Sequence, residues 1–544
     1  MTFQISATAR TTLCLTVLAC CAAPGLAQDW PQWGRTAYRN MVCPDAGNLP
    51  TSFDVGRMIP DTEEVDLSTT RNVRFAVKLG SQTYGNPTIA NGRVLVGTNN
   101  ESARNPKYAG QDRSPVYCFD EKTGAFLWEF NAPKLDAGKV SDWEFIGICS
   151  SPTIIGDRIY VVSNRAEVIC LDLHGLANGN DGPFKDEALY YGAGKPIKIC
   201  PTDADILWRF DMRDELGVFP HNIASNSVLY YEGVLYLSTS NGVDWTHTNI
   251  PNPRAPAFIA LDAKTGELLG EETSGVSRRM LHCNWSSPTI ARIGKQRQMV
   301  VGGGDGWVYA YAPRPVKDEE GIGILQELWR FDANPPHYRV DNDGNPIRYA
   351  TTRGPSEIIS TPVEVDGLIY VTIGQDPEHG EGIGALSCID PGDLTGDISQ
   401  SGLKWRYERI GRSISTPAVY DGLVYAVDYN GVVHCVDAKS GEPQWTFDTG
   451  SHLWASPLVA DGKLYIGNED GDLVILAAGR ERKLLGRINM GASIYSSPVV
   501  ANNTLFIATQ THLWAIAEGA EPAAPATQPA APAKEAPKAG PKAE

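Results

Sequence analysis

Counting back from a proline that recurs in phrases such as Ser150-Ser151-Pro152 and Ser286-Ser287-Pro288 picks out two sets of side chains able to do chemistry. Three residues before it stand Tyr84, Cys149, Ala224, Trp285, Ile359, Ile414, Trp454 and Tyr495; five before it stand Gln82, Gly147, Asn222, Cys283, Glu357, Arg412, His452 and Ser493. If these stretches are extended, a period of two puts both sets on one face. A flat aromatic ligand would then meet a tryptophan floor and a polar rim. The ligand-binding candidates are Gln82, Asn222, His282, Trp285, Glu357, Arg412, His452 and Trp454. The competing reading is packing, in which Trp285 and Trp454 plug a channel and Glu357 pairs with Arg412.

Other chemistry is less well signposted. Of nine histidines, His221, His282 and His452 fall near the same place, but their spacing matches no metal motif. Residues 172–182 and 341–345 are rich in Asp and Asn oxygens, lack the closing Glu of a calcium loop, and read as turns. The glycines at 302–306 lack the Lys-Ser/Thr of a phosphate loop, and no nucleophile elbow, HExxH or dinucleotide fingerprint occurs. No CxxC occurs either.

These residues are positioned by a repeat. Ser415-Thr416-Pro417 and Ala455-Ser456-Pro457 are forty residues apart, and eight such starts run from Gly85-Asn86-Pro87 to Ser496-Ser497-Pro498, the weakest being Ser225-Asn226-Ser227. Each opens an alternating strand, turns at a Gly such as Gly92 or Gly422, and continues into a Tyr-rich strand. Compact units turn again at Asn430-Gly431 or Asp470-Gly471, run a third strand to an Asp, and reach a fourth marked by Trp128, Trp208, Trp329, Trp405 or Trp445. The pattern predicts an all-β, eight-bladed propeller of four-stranded antiparallel blades. After Trp514 the last unit has no fourth strand of its own, so residues 72–78 are expected to supply it and close the ring.

Four of the cysteines, Cys118, Cys170, Cys388 and Cys435, share one third-strand position where other units carry Ala260 or Ala310, so they read as small buried thiols. Residues 1–27 read as a signal peptide, which makes the protein exported, periplasmic or extracellular. Val17-Leu18-Ala19-Cys20 loosely resembles a lipobox, giving lipid anchoring through Cys20 as the lesser reading. Residues 28–70 form an extension packed on the propeller of residues 71–517, and 518–544, almost wholly Ala, Pro, Lys and Glu, form a disordered tail. With 47 basic against 64 acidic residues the net charge is -17, which argues against nucleic acid as a partner. No apolar run reaches the ~20 residues of a membrane helix, and a monomer is expected.

The Ser-Ser-Pro, Asp-Gly, Asp-Ala-Lys-Thr-Gly and Trp marks resemble the pyrroloquinoline-quinone (PQQ)-like repeat of quinoprotein alcohol dehydrogenases and of the BamB outer-membrane assembly lipoproteins, over about residues 29–517. The segment from Asp29 to Arg35 resembles the start of the dehydrogenases. That resemblance implies PQQ held over a Trp, a Ca²⁺ bound through Glu, Asn and Asp oxygens, and an Asp base. Against it, the polar set has one carboxylate, and Arg412 would repel the cation; Asp142, Glu144 and Asp244 in neighbouring loops are the residues that could restore a site. The expected role is therefore a binding or scaffold module acting through the channel mouth and inserted loops. The alternatives are a PQQ- and Ca²⁺-dependent dehydrogenase of alcohols or sugars, and a BamB-like assembly factor.

Overall fold

Apolar alternation between tight glycine turns does what the repeat predicts: each unit folds into a sheet whose strands neighbour one another in chain order. In the computed structural model, which describes residues 28–523, eight such sheets form the blades of a propeller. Blade 1 comprises the strands Thr88–Ala90, Arg93–Gly97, Arg113–Asp120 and Phe126–Pro133, all antiparallel. Blades 2 to 7 follow at residues 153–211, 229–272, 289–332, 363–407, 418–448 and 458–489. Blade 8 takes three strands from residues 499–516 and its outer strand, Val73–Lys78, from the other end of the chain, with Ala76 opposite Trp514. Inserted segments cover two outer edges: Gly323–Leu325 lies parallel to the last strand of blade 3, and Gly396–Asp397 to that of blade 4. Covered edges cannot recruit another chain.

The recurring residues are blade-packing devices. In blades 1, 5 and 6 the fourth-strand Trp donates its indole N–H to a backbone carbonyl of the next blade, Trp128 to Leu173, Trp405 to Ala438 and Trp445 to Gly479, whereas Trp329 of blade 4 donates to Gln298 Oε1 of its own blade. The glycine that follows the third strand lies against that ring; a Cβ on Gly441 would come within 2.6 Å of Trp405. Cys118, Cys170, Cys388 and Cys435 are buried free thiols on third strands, and burial pushes the last three up to about 12.

The residue just before each proline closes the ring from inside. The Ser151 N–H donates to Ser227 Oγ, Ser227 to Ser287, Thr361 to Thr416, Thr416 to Ser456, Ser456 to Ser497, and Ser497 to Asn86 Oδ1, at 2.6–3.0 Å. Asn86 Nδ2 then donates to Ser151 Oγ, completing the passage from blade 8 through blade 1 to blade 2. Between blades 4 and 5 Thr361 Oγ1 instead accepts from the Trp33 indole at 2.9 Å. This ring corrects the reading of blade 3. Ser227 stands where Ser151 and Ser287 stand, so Val228 replaces the proline and the register lies one residue later than the sequence phrase suggested.

The extension does more than pack on the outside. Residues 28–44 cross the channel beneath its mouth, bonded through their backbone to inner strands: Trp30 and Ile89 exchange hydrogen bonds, and the carbonyls of Pro31, Ala37 and Met41 accept from the N–H groups of Ile154, Ile290 and Val459. At its centre Arg39 is wholly buried and donates to the carbonyls of Trp33, Val228 and Pro288. Desolvation lowers this guanidinium to about 9. At the other terminus, Gly519 N–H donates to Asn72 Oδ1 and Ala523 N–H to Arg74 O, so residues 518–523 are held along the closing strand. Residues 1–27, read above as a signal peptide containing Cys20, and residues 524–544 of the expected tail lie outside the described residues. Among the described residues no helix is long and apolar enough to cross a membrane.

Candidate functional site at the channel mouth

Because the extension blocks the channel, the mouth is a cup. It encloses about 570 Å³, with Trp33 among its lining residues. Its wall is the set three residues before the prolines: Tyr84, Cys149, Trp285, Ile359, Ile414, Trp454 and Tyr495 all line it, and in blade 3 the lining residue is Ser225, as the corrected register requires. Tyr84 stacks on Tyr495 with centroids 5.1 Å apart, and Trp454 packs at 4.7 Å from Tyr495. Burial raises the Tyr495 phenol to about 12, so these rings stay neutral.

The polar set five residues before the prolines does not form a rim. Those residues precede the inner strands in irregular backbone, where Asn222 has φ 54°, so the period-of-two argument fails there. Of the candidates, Gln82, Asn222, Trp285 and Trp454 line the cup. His452 lies to the side, stacked on Tyr429 at 4.4 Å and bonded to Glu469 at 3.1 Å. The pairing of Glu357 with Arg412 is not formed. Arg412 donates instead to the carbonyls of Thr351, His379 and Gly380, which hold it away as a loop clamp. Glu357 is fully buried, neither carboxylate oxygen has a hydrogen-bond partner, and desolvation raises it to about 8.

Glu357 faces His282 Nδ1 at 3.6 Å, and His282 belongs to a cluster that sequence spacing did not reveal. His221 precedes blade 3 and His282 precedes blade 4, with ring centroids 4.3 Å apart. Loop 239–257 of blade 3 brings in His247, whose Nδ1 is 3.0 Å from His282 Nε2. Loop 374–384 of blade 5 adds His379, its ring 4.8 Å from that of His282. Gly242 makes the first loop fit, since a Cβ there would meet His221 Cβ at 2.4 Å. Burial lowers His221 to about 4, holds His282 well below the ordinary imidazole range and lowers His379 as well. The available signal was that His221 and His282 stand seven and six residues before equivalent positions in adjacent blades; nothing local marks His247 or His379.

The calcium of quinoprotein chemistry does not fit this mouth. Asp142 is taken by Lys134, Asn164 and the Leu135 N–H, Asp244 caps its own loop through Thr246 and Asn249, and Asp376 accepts from Asn222. Among the described residues, the grouping of three or more metal-ligating side chains is all imidazole, whereas a calcium ion wants six to eight oxygens. The two Asx-rich loops spend oxygens on their own turns: Asp172 accepts from the His174 N–H, Asp341 from those of Asp343 and Asn345.

Eight four-stranded blades, a hydroxyl ring before the inner strands and a fourth-strand Trp docked on the next blade define a PQQ-like β-propeller, here with an aromatic cup at its hub. The family model described as outer membrane protein assembly factor BamB matches residues 304–535. The BamB of Moranella endobia is 33% identical over 341 residues, covering 59% of this chain and 73% of that protein. The chain belongs to this BamB-like family of PQQ-repeat propellers. A 1-butanol dehydrogenase (cytochrome c) of Thauera butanivorans is 29% identical over 143 residues, 24% of this chain and only 20% of the enzyme's length. A solved quinohemoprotein alcohol dehydrogenase of Pseudomonas putida HK5 shares the fold, with a TM-score of 0.52 at 10% identity over 92% of this chain and 82% of that one.

Proposed function

We propose that the protein is an exported, non-catalytic binding module whose cup receives an aromatic or apolar group presented by a partner protein. The observation that carries this is the cup itself: a closed-bottomed hollow with Trp285, Trp454, Tyr84 and Tyr495 in its wall and hydroxyl and amide side chains between them. Two large aromatics by the mouth loops support a partner larger than a metabolite: Phe145, which lines the cup, is 56% exposed, and Trp245 is 74% exposed. The Moranella endobia relative, named as an outer-membrane assembly factor, favours an unfolded outer-membrane polypeptide as that partner.

The test uses purified full chain, calorimetry and tryptophan fluorescence. Short peptides alternating Phe or Tyr with polar residues should bind, their alanine counterparts should not, and Trp454→Ala should weaken binding at least about tenfold, as loss of a buried aromatic anchor does. PQQ with Ca²⁺ should neither bind stoichiometrically nor support dye reduction by alcohols or sugars. Stoichiometric, Ca²⁺-dependent quinone uptake would overturn the reading in favour of a dehydrogenase.

A further inference from the structure

The cup leaves the histidine cluster unused, and its geometry is unusual for side chains that merely fill space. One ring nitrogen from each of His221, His247 and His282 lies within 4.8 Å of the others. His221 Nδ1 is 2.7 Å from the Val243 carbonyl, which can accept only from an N–H, so the proton sits on Nδ1 and Nε2 carries the lone pair. That Nε2 is buried without a partner, and His221 itself is 1% exposed. His282, wholly buried, turns Nδ1 toward the Glu357 carboxyl and Nε2 toward His247. Between neutral rings one of His247 Nδ1 and His282 Nε2 carries the proton of that 3.0 Å contact; a cation would replace this proton and give the orphaned His221 Nε2 a partner as well.

We propose that His221, His247 and His282 form a binding site for a divalent transition metal of the zinc class, set beside Trp285 in the wall of the mouth. Neutral imidazoles suit zinc, copper, nickel and cobalt rather than calcium or magnesium. In a tetrahedral site with metal–nitrogen bonds of 2.0–2.1 Å, two ligand nitrogens stand about 3.3 Å apart, close to the 3.0 Å between His247 and His282. Glu357 is placed as the carboxyl that orients His282 through its other nitrogen, which explains a buried acid with no other partner. Three protein ligands leave a fourth position for water or an incoming donor. None of the three histidines lines the cup, although His282 packs against Trp285, so metal occupancy is read separately from peptide binding.

The experiment is metal titration of tag-free, chelator-treated full chain. Co²⁺ should bind at one equivalent with the visible absorption of a tetrahedral site, Zn²⁺ should displace it, and Ca²⁺ and Mg²⁺ should leave the spectrum unchanged. Zn²⁺ should also raise the melting temperature. His247 sits on a partly exposed loop, so His247→Ala should fold normally by circular dichroism and lose at least about a hundredfold in affinity. Glu357→Gln should keep the stoichiometry with affinity about 10–100-fold weaker. A wild type that takes up no Co²⁺ or Zn²⁺, a His247→Ala that binds as tightly as wild type, or one equivalent of tightly bound Ca²⁺ in their place would each overturn the site.

Discussion

Glu129, on the fourth strand of blade 1, is fully buried, with Asn131 Nδ2 donating to it at 3.0 Å and Asp203 close by. Desolvation raises its carboxyl from near 4.5 to about 7. Between those values the native protein holds a proton that the unfolded chain has released, so stability falls as pH rises across this window, and the loss is complete above the folded value. Glu129→Gln should make that slope shallower, Glu357 contributing the remainder, and raise stability at pH 8 by about 3 kcal/mol. Urea midpoints at pH 5 and pH 8 check this, and an unchanged slope would count against it. A second expectation at this scale is that maleimide leaves Cys118, Cys170, Cys388 and Cys435 unlabelled until denaturant is added, since all four are buried and free. Their role was legible because four blades repeat the same position. Half of the candidate site was legible too. The residues three before each proline reach the cup because they adjoin the inner strand, whereas two residues further out the backbone turns into loops of unrelated course. That is why Gln82 and Asn222 line the cup while Glu357, Arg412 and His452 do not, and why His247 and His379 could not be found by spacing.

The strand Val73–Lys78 is separated by more than 430 residues from the strand it completes, yet it could be anticipated from counting alone, because seven units had a fourth strand and one lacked it. A truncation beginning at Gly80 should leave His512–Ile516 as an open edge and, with the channel segment gone as well, produce aggregation and a lower melting temperature. Size-exclusion chromatography and thermal unfolding decide it; a monomer of unchanged heat stability would defeat the expectation. What counting could not show was the path of residues 28–44, whose irregular backbone carries no period. Arg39 is the pivot of that path. Arg39→Ala would strand the buried carbonyls of Trp33 and Pro288, while that of Val228 keeps the Thr153 hydroxyl, and should cost about 2–4 kcal/mol. It should also expose residues 28–44 to limited proteolysis.

Around most of the ring each blade donates one backbone N–H to a neighbour's hydroxyl, with Asn86 serving at blade 1 and Trp33 taking the place of the link between blades 4 and 5. Thr416→Val removes both an acceptor for Thr361 and nothing of the backbone, so it should lower stability by only about 1 kcal/mol. The denaturant midpoint measures it, and a loss several times larger would mean that the ring acts as a single network. The one-residue shift at blade 3 belongs to this scale as well: without a proline the phrase was ambiguous, and only the continuity of the ring fixes where Ser227 stands.

The channel segment also sets an order of events. Residues 28–44 reach the inner strands of blades 1, 2, 4 and 7, and Val73–Lys78 waits for a partner that ends at Ile516. A segment synthesised before every blade is therefore the last to find its place. Blades 1 to 7 can form as the chain lengthens, but the seam of the ring does not exist until the chain has been made through Ile516. Such a protein cannot close around a ligand halfway through synthesis, and it suits a chain that is completed first and folded afterwards.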